Sequence, residues 1–236
     1  MIIAIDGPAS SGKSSTAKLL AERFGFVYLD TGAMYRAVAL AVINSGIDSE
    51  NSGALEQLLS DIEIDVRFEV AGNRIYLDAV DVTEQIRSRL VTAESSRVSA
   101  KPEIRAKMVA EQQRIARRHA RENRGVVVDG RDIGTVVFPD ADIKIFMTAD
   151  VDTRARRRHL ELAENKIDIG FDNIRQDIIE RDRKDQSRAY SPLVKAPDAI
   201  EIDTSGISLD EQVEQIAALI EPHLRKDSMT INNLSG

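Results

Sequence analysis

Short runs of apolar residues alternate with longer amphipathic segments along most of this sequence. Five runs have the length and apolar composition of buried strands: Ile2–Ile5, Phe26–Leu29, Val126–Val128, Ile143–Met147 and Ile200–Ile202. Helical periodicity predicts helices over Lys13–Phe24, Met34–Ile43, Pro102–Arg121, Thr153–Leu162, Phe171–Asp185 and Leu209–Leu224. Because buried strands that alternate with helices form parallel sheets, we predict a three-layer α/β fold. Its five-stranded parallel sheet has helices on both faces.

The pattern changes between residues 61 and 100. Ile62–Val70 alternates apolar and polar residues, Ala71-Gly72-Asn73 is typical of a turn, and Arg74–Leu77 is again extended. This is the signal of a β-hairpin, so we predict an inserted β-containing subdomain over 61–100. The core would then comprise residues 1–60 and 101–225. Periodicity ends at Arg225, and we expect a flexible tail over 226–236.

The composition removes several classes of function. The net charge is −7 and tryptophan is absent, which argues against a nucleic-acid partner. The absence of cysteine excludes disulfides, thiolate metal sites and a cysteine nucleophile. The first apolar run ends at Asp6 and is too short for a signal peptide or a membrane span. We therefore expect a cytoplasmic, monomeric enzyme with small-molecule substrates and no membrane partner.

Residues 7–15 read GPASSGKSS and match the phosphate-binding P-loop in full, between a predicted strand and a predicted helix. Glycine at 7 and 12 lets the backbone approach phosphates, Lys13 would contact the β- and γ-phosphates, and the Ser14 hydroxyl would ligate Mg²⁺. The proposed ATP-binding residues are Gly7, Pro8, Ala9, Ser10, Ser11, Gly12, Lys13, Ser14 and Ser15. GTPases, motor ATPases and small-molecule kinases all carry such a loop.

Other segments favour a kinase among these classes. The run Val126–Val128 ends in Asp129-Gly130-Arg131-Asp132, which gives a carboxylate near the metal, acting through water, and a cation at the carboxyl edge of the sheet. The segment Asp30–Arg36 opens a second helix at this edge and predicts a second anion pocket at Thr31 and Arg36.

Two arginine-rich segments follow. Arg154, Arg156, Arg157 and Arg158 crowd a helix N-terminus, where cations are unfavourable. They favour a helical lid over about 153–168 that closes on the triphosphate, although a solvated face is the alternative. Arg181, Asp185 and Arg188 share one face of the next helix, and they indicate either a clamp for sugar and phosphate or an ordinary surface ion pair.

These residues resemble the bacterial cytidylate kinase family of P-loop kinases from residue 2 to about 220. The matching stretches are GPASSGKSS at 7–15, LDTGAMYR at 29–36, VDGRDIGTVVFPDADIKIF at 128–146, RARRR at 154–158 and RDRKDQSR at 181–188. The resemblance implies transfer of the γ-phosphoryl group of ATP, with Mg²⁺, to CMP or dCMP. It also implies that the insert over 61–100 helps to bind the acceptor.

The resemblance further implies residue roles. Ser96 and Arg105 would recognise cytosine, with Asp132 and Arg188 beside the base. Arg36 and Arg131 would hold the CMP phosphate, and Arg181 and Asp185 the pentose. Arg157 and Arg158 would be the lid arginines. The catalytic residues would be Lys13, Arg131, Arg157 and Arg158; the CMP-binding residues would be Thr31, Arg36, Ser96, Arg105, Arg131, Asp132, Arg181, Asp185 and Arg188.

Two positions depart from the family pattern. Thr31 stands where serine is common, so the choice between ribose and deoxyribose stays open, and Ser14 stands where glycine is common, so the metal role could shift to Ser15. Two rival functions also stay open: a kinase of the same fold acting on UMP, AMP or shikimate, and an ATP-sensing binding protein. The arginine clusters near positions 154 and 181 argue against the ATP-sensing binding protein.

Overall fold

A computed structural model of the chain describes residues 1–69, 72–122, 125–164 and 166–233. Its main sheet has five strands: β1 (Ile2–Asp6), β2 (Val27–Asp30), β6 (Val126–Gly130), β7 (Ile143–Thr148) and β8 (Ile200–Asp203). They are all parallel, in the order β2-β6-β1-β7-β8. The prediction of a five-stranded parallel sheet is therefore confirmed.

Helices cover both faces of this sheet, as predicted. They are α1 (Lys13–Phe24), α2 (Thr31–Ser45), α3 (Ser52–Asp61), α4 (Arg89–Val98), α5 (Pro102–Glu122), α6 (Val151–Glu164), α7 (Phe171–Gln186) and α8 (Leu209–Asn233). One apolar cluster joins the sheet to α2 and α5, and a second joins its other face to α1 and α8. The central strand β1 is thus buried on both sides, and its carboxyl end delivers the P-loop into the middle of the fold.

Local chemistry explains where the first helices begin and end. Gly25 adopts a left-handed conformation (φ 64°) and stops α1 by donating its N–H to the last carbonyls of that helix. Asp30 caps α2 by accepting a hydrogen bond from the Ala33 amide at 2.9 Å. Because of this cap, α2 begins at Thr31, three residues before the predicted start at Met34.

The segment over 61–100 contains a three-stranded antiparallel sheet formed by β3 (Ile64–Glu69), β4 (Gly72–Leu77) and β5 (Val80–Asp81). The predicted hairpin is confirmed, although Val70 and Ala71 of its turn lie outside the described residues. Its apolar residues belong to the same cluster as α2 and α5. The subdomain boundaries themselves stay a prediction.

The predicted lid, about 153–168, includes most of α6, and α6 packs against α7. Their small core contains Ala155, Leu162, Ile174 and Ile178 and is separate from the two large clusters. Residue 165 of the predicted lid lies outside the described residues. The motion of this segment as a lid stays a prediction.

The C-terminal end differs from the expectation of an unstructured tail. Helix α8 continues through Asn233, beyond the predicted end at Leu224, and no glycine or proline interrupts residues 225–233. The flexibility of this tail stays a prediction, and residues 234–236 lie outside the described residues. None of the helices in the described ranges combines the length and apolar character that crossing a membrane requires.

Candidate active site

The P-loop joins β1 to α1 in a conformation that needs its two glycines. Gly7 has φ 148°, and a Cβ there would lie 2.0 Å from the Met147 carbonyl oxygen. Gly12 has φ 96° at the start of α1. Ser10 also lies in the left-handed region at φ 59°. Alternation of such conformations turns successive backbone N–H groups toward one side, which forms an anion-binding concavity.

Lys13 lies inside this loop with a side chain that is almost fully buried. Its ammonium donates to the Pro8 carbonyl at 2.7 Å and to Ser11 Oγ at 3.4 Å. Burial and the positive charge of Arg131 hold the pKa of Lys13 well below its usual value. A phosphate anion would relieve both effects, since it would pair with the buried cation.

Ser14 and Asp129 meet beside the loop. Ser14 Oγ donates to Asp129 Oδ2 at 2.7 Å, and Tyr28 Oη donates to Asp129 Oδ1 at 2.9 Å. Burial, together with the nearby charge of Asp30, raises the pKa of Asp129. Of the two serines considered for the metal role, Ser14 is the one whose hydroxyl contacts the Asp129 carboxylate in β6.

The second helix N-terminus lies directly beside this carboxylate. Thr31 is buried, and its hydroxyl donates to the Asp129 backbone carbonyl at 2.7 Å. Arg36 pairs with Asp30 at 3.0 Å, and both side chains remain partly exposed. The first turn of α2 is therefore attached to β6 next to the P-loop, since Asp129 also accepts from Ser14.

Arg105 and Asp132 form a buried ion pair at the far end of the site, each about 95% covered. Arg105 also donates to the Ser99 carbonyl at 3.0 Å, and its guanidinium lies 5.5 Å from the centre of the Tyr35 ring. Ser96 is half-buried one turn before Ser99 on α4. A planar fork and a carboxylate are suited to reading the edge of a nucleobase.

Asp185 connects the base end to the centre of the site. It is buried and accepts from Arg131 at 2.9 Å and from Arg188, which also contacts Ser99 Oγ at 3.3 Å. Burial opposes its ionisation, but the Arg131, Arg188 and Arg181 cations outweigh that effect and lower its pKa. Two members of the predicted clamp face of α7, Asp185 and Arg188, are thus bonded to each other within the site, and the role of this face as a clamp stays a prediction.

Arg181 differs from its neighbours because, within the described ranges, it forms no ion pair or hydrogen bond. Its side chain reaches solvent, yet reduced solvation and the repulsion of Arg131, Arg36 and Arg158 lower its pKa to about 10. A cation held among other cations marks a place for an anion.

The lid arginines are divided between two environments. Arg157 donates to Ser11 O at 3.4 Å and to Thr204 at 2.9 Å (Oγ1) and 2.6 Å (O). Arg158 pairs with Glu161 of its own helix at 2.7 Å. The prediction that both stabilise the transferred phosphoryl group stays a prediction.

Sequence reasoning missed three residues that organise the site: Asp6, Tyr35 and Thr204. It assigned Arg154 to the lid cluster but did not predict that this side chain binds the Ala9 carbonyl of the P-loop. Asp6 ends β1 and accepts from the amides of Ile133 (2.8 Å) and Gly134 (2.7 Å), which begin a short π-helical turn over Ile133–Val137. Burial raises the pKa of Asp6 to about 6 despite these bonds. The position of Asp6 before the P-loop was the one available signal.

In the part of the chain that the structure describes, no three acidic, histidine or cysteine side chains gather as a protein-only metal site would need. The oxygens of Ser14 and Asp129 are nevertheless the ligands that Mg²⁺ prefers when phosphates and water complete its shell. The residues present therefore fit a magnesium–nucleotide complex better than a resident metal.

Comparison with known proteins agrees with this geometry. A cytidylate kinase of Shouchella clausii (strain KSM-K16) is 43% identical over 224 residues, covering 95% of this chain and 97% of that protein. A cytidylate kinase of Streptococcus thermophilus (strain ATCC BAA-491 / LMD-9) is 47% identical over 215 residues, covering 91% and 93%.

Among solved structures, an uncharacterized protein from Eubacterium ventriosum ATCC 27560 has a TM-score of 0.51 at 16% identity, covering 94% of this chain and 98% of that one. This likeness concerns the fold alone. The family model for cytidylate kinase matches residues 3–222. With that match and relatives at 43–47% identity, the chain belongs to the cytidylate kinase family.

Proposed function

We propose that this protein transfers the γ-phosphoryl group of ATP to CMP or dCMP, giving ADP and CDP or dCDP. The observation that carries the proposal is Arg181. It forms no ion pair or hydrogen bond in the described structure, and its charge is felt by Lys13 of the P-loop, by Asp185 and by the cations Arg131, Arg36 and Arg158. Such a site suits two phosphate groups from two nucleotides.

The chemistry is an in-line displacement. A phosphate oxygen of CMP forms a bond to the γ-phosphorus of ATP while the bond from that phosphorus to the bridging oxygen breaks, and ADP leaves with the electron pair. The attacking oxygen is already anionic, so no strong base is needed. Catalysis comes from positioning and from neutralising charge. Lys13 would bind the β- and γ-phosphates, while Arg131 and Arg181 would face the oxygens of the transferred group.

Mg²⁺ accompanies ATP in this proposal. Ser14 and Asp129 would hold it, with Asp129 acting through water, and the ion would neutralise charge between the β- and γ-phosphates. The 2.7 Å contact between Ser14 Oγ and Asp129 Oδ2 supports this role, because it places both oxygens side by side next to the loop. Tyr28 and the Thr31 hydroxyl keep the Asp129 segment in this position.

The acceptor would lie along the opposite wall. Arg36 and Arg131 would hold its phosphate, and Arg105, Asp132, Ser96 and Arg188 its base. Arg181 and Asp185 would lie at its pentose, from where the Arg181 cation would also reach the transferred phosphoryl group. Arg131 and Arg188 both contact Asp185, so a nucleotide that binds there must share or replace these bonds. This coupling would link occupation of the sugar site to the position of the phosphate-binding Arg131.

Closure would exclude water, which competes with CMP for the γ-phosphate. The separate small core of α6 and α7 supports a moving lid over about 153–168, which would hinge at its P-loop end, where Arg154 binds the Ala9 carbonyl. Residues 61–100 share their core with α2 and α5, so we expect a smaller motion there than in the lid. We expect the protein to be monomeric and to act in the cytoplasm.

A coupled assay with a panel of acceptors tests the proposal. With ATP and Mg²⁺, CMP and dCMP should give ADP at rates well above those with UMP, AMP or shikimate. A preference for one of the other three would move this chain to another kinase activity of the same fold. Slow ATP hydrolysis that no acceptor stimulates would instead favour an ATP-sensing protein.

A further inference from the structure

Three side chains from outside the P-loop bind its backbone carbonyls. Arg154 donates to the Ala9 carbonyl at 3.2 Å. Arg157 lies 3.4 Å from the Ser11 carbonyl, and the Thr204 hydroxyl lies 2.9 Å from the same oxygen. The two arginines come from α6, whereas Thr204 follows β8, so two separate segments attach to the loop.

These contacts fix the direction of the loop amides. A trans peptide unit is planar, and its C=O and N–H point in opposite directions. When the Ala9 and Ser11 carbonyls are held by outside donors, the N–H groups of Ser10 and Gly12 must point away from those donors. Those amides belong to the concavity that would receive phosphate oxygens.

The loop needs such support because Ser10 is strained. Its φ of 59° lies in the left-handed region, which is costly for a residue that has a Cβ. A conformation of this kind persists when its surroundings over-determine it. The two held carbonyls, on Ala9 and Ser11, stand on either side of Ser10.

Thr204 and Arg154 are the two side chains that support the loop, and Thr204 forms the larger number of contacts. It is completely buried, its hydroxyl also lies 3.0 Å from the Thr148 carbonyl, and it accepts from Arg157 at 2.9 Å. Arg154 is buried as well and pairs with Asp182 of α7 at 2.6 Å. Each support therefore connects the loop to a second element of the fold.

We infer that Thr204 and Arg154 are positioning residues that hold the P-loop carbonyls and thereby preorganise its amides for the phosphates of ATP. Neither side chain needs to touch the nucleotide. The inference rests on the proposed function only for the identity of the ligand, because the held carbonyls and the strained Ser10 are independent of the acceptor.

Thr204→Val and Thr204→Ser provide a matched pair of variants. Valine keeps the shape and removes the hydroxyl, whereas serine keeps the hydroxyl and removes the methyl group. Isothermal titration should give an ADP Kd about five- to tenfold higher for Thr204→Val, as expected for one or two lost hydrogen bonds. Thr204→Ser should stay within about twofold of the wild type, and the CMP Kd should change less than about twofold in both.

The inference fails if Thr204→Val binds ADP like the wild type, if serine is as harmful as valine, or if ADP and CMP affinities fall together. Should Thr204→Val not fold, Arg154→Lys is read by the same criteria, since it keeps a charge opposite Asp182 and shortens the reach to Ala9. A wild type that binds ADP but does not phosphorylate CMP would overturn the proposed function and leave this inference standing, because ADP binding is measured without an acceptor.

Discussion

Replacing Arg181 with methionine should separate function from stability. Within the described ranges, Arg181 forms no ion pair or hydrogen bond, and the repulsion of Arg131, Arg36 and Arg158 acts against the attraction of Asp185. Methionine keeps most of the unbranched side-chain volume and removes the cation. We therefore expect Arg181→Met to impair phosphoryl transfer without reducing the free energy of unfolding.

The magnitude follows from the role proposed for this cation. Loss of one charged contact to a transition state in a water-poor site costs about 2.7–4 kcal/mol, or about a hundred- to a thousandfold in rate. We expect this loss in kcat/KM for CMP, with the KM for CMP raised more than the KM for ATP. Stability should change by less than about 1 kcal/mol, because the side chain reaches solvent.

Coupled assays that vary CMP and ATP separately, together with thermal unfolding, measure both quantities. Arg183→Met is the matched control, since Arg183 lies on the same helix and is also exposed. The control should keep kcat and both KM values within about twofold. Equal effects on the two KM values, or an equal loss in Arg183→Met, would refute the assignment of Arg181 to the acceptor side.

Three further changes test other parts of the site. Lys13→Ala should lower kcat at least about a hundredfold with an unchanged circular dichroism spectrum; near-normal turnover would contradict the P-loop role. Arg105→Met should weaken CMP relative to UMP in competition assays, and it should destabilise the fold by about 3–5 kcal/mol because buried Asp132 loses its partner; unchanged discrimination would move base recognition elsewhere. Asp6 has a pKa of about 6 in the fold, above its unfolded value, so its stabilising effect is full below pH 3.8 and is lost as pH rises to about 6. Denaturant unfolding from pH 4 to 6 should therefore lose about 1.4 kcal/mol per pH unit from this group, and Asp6→Asn should lack that slope; identical slopes would contradict the assignment.

Most of the sheet could be predicted because its strands are apolar on both faces. The purely apolar composition of a run such as Val126–Val128 is enough to predict a buried strand. The observed strands end only one or two residues beyond the predicted ends; β6, for example, ends at Gly130. Helices α3 and α4 were missed. Both are short, and α4 is mostly polar, with only Val91 and Val98 buried. Periodicity is weak when so few positions face the core.

The pairings within the site could not be predicted from local pattern. Arg105 and Asp132 are separated by 27 residues, and Thr204 meets Ser11 across 193 residues. Such contacts arise because parallel strands bring distant carboxyl ends to one edge of the sheet. The sequence located the chemical groups, whereas only the fold decides which of them meet.

Transfer of phosphate to a cytidine nucleotide is the central claim, and the identity of the labelled product tests it most directly. The protein is incubated with ATP labelled at the γ-phosphate, Mg²⁺ and CMP, and the products are separated. We predict that the label appears in CDP, that inorganic phosphate stays near background, and that Lys13→Ala lowers the labelling of CDP at least about a hundredfold. Label found mainly in inorganic phosphate, or in no product when CMP is the acceptor, would contradict the account.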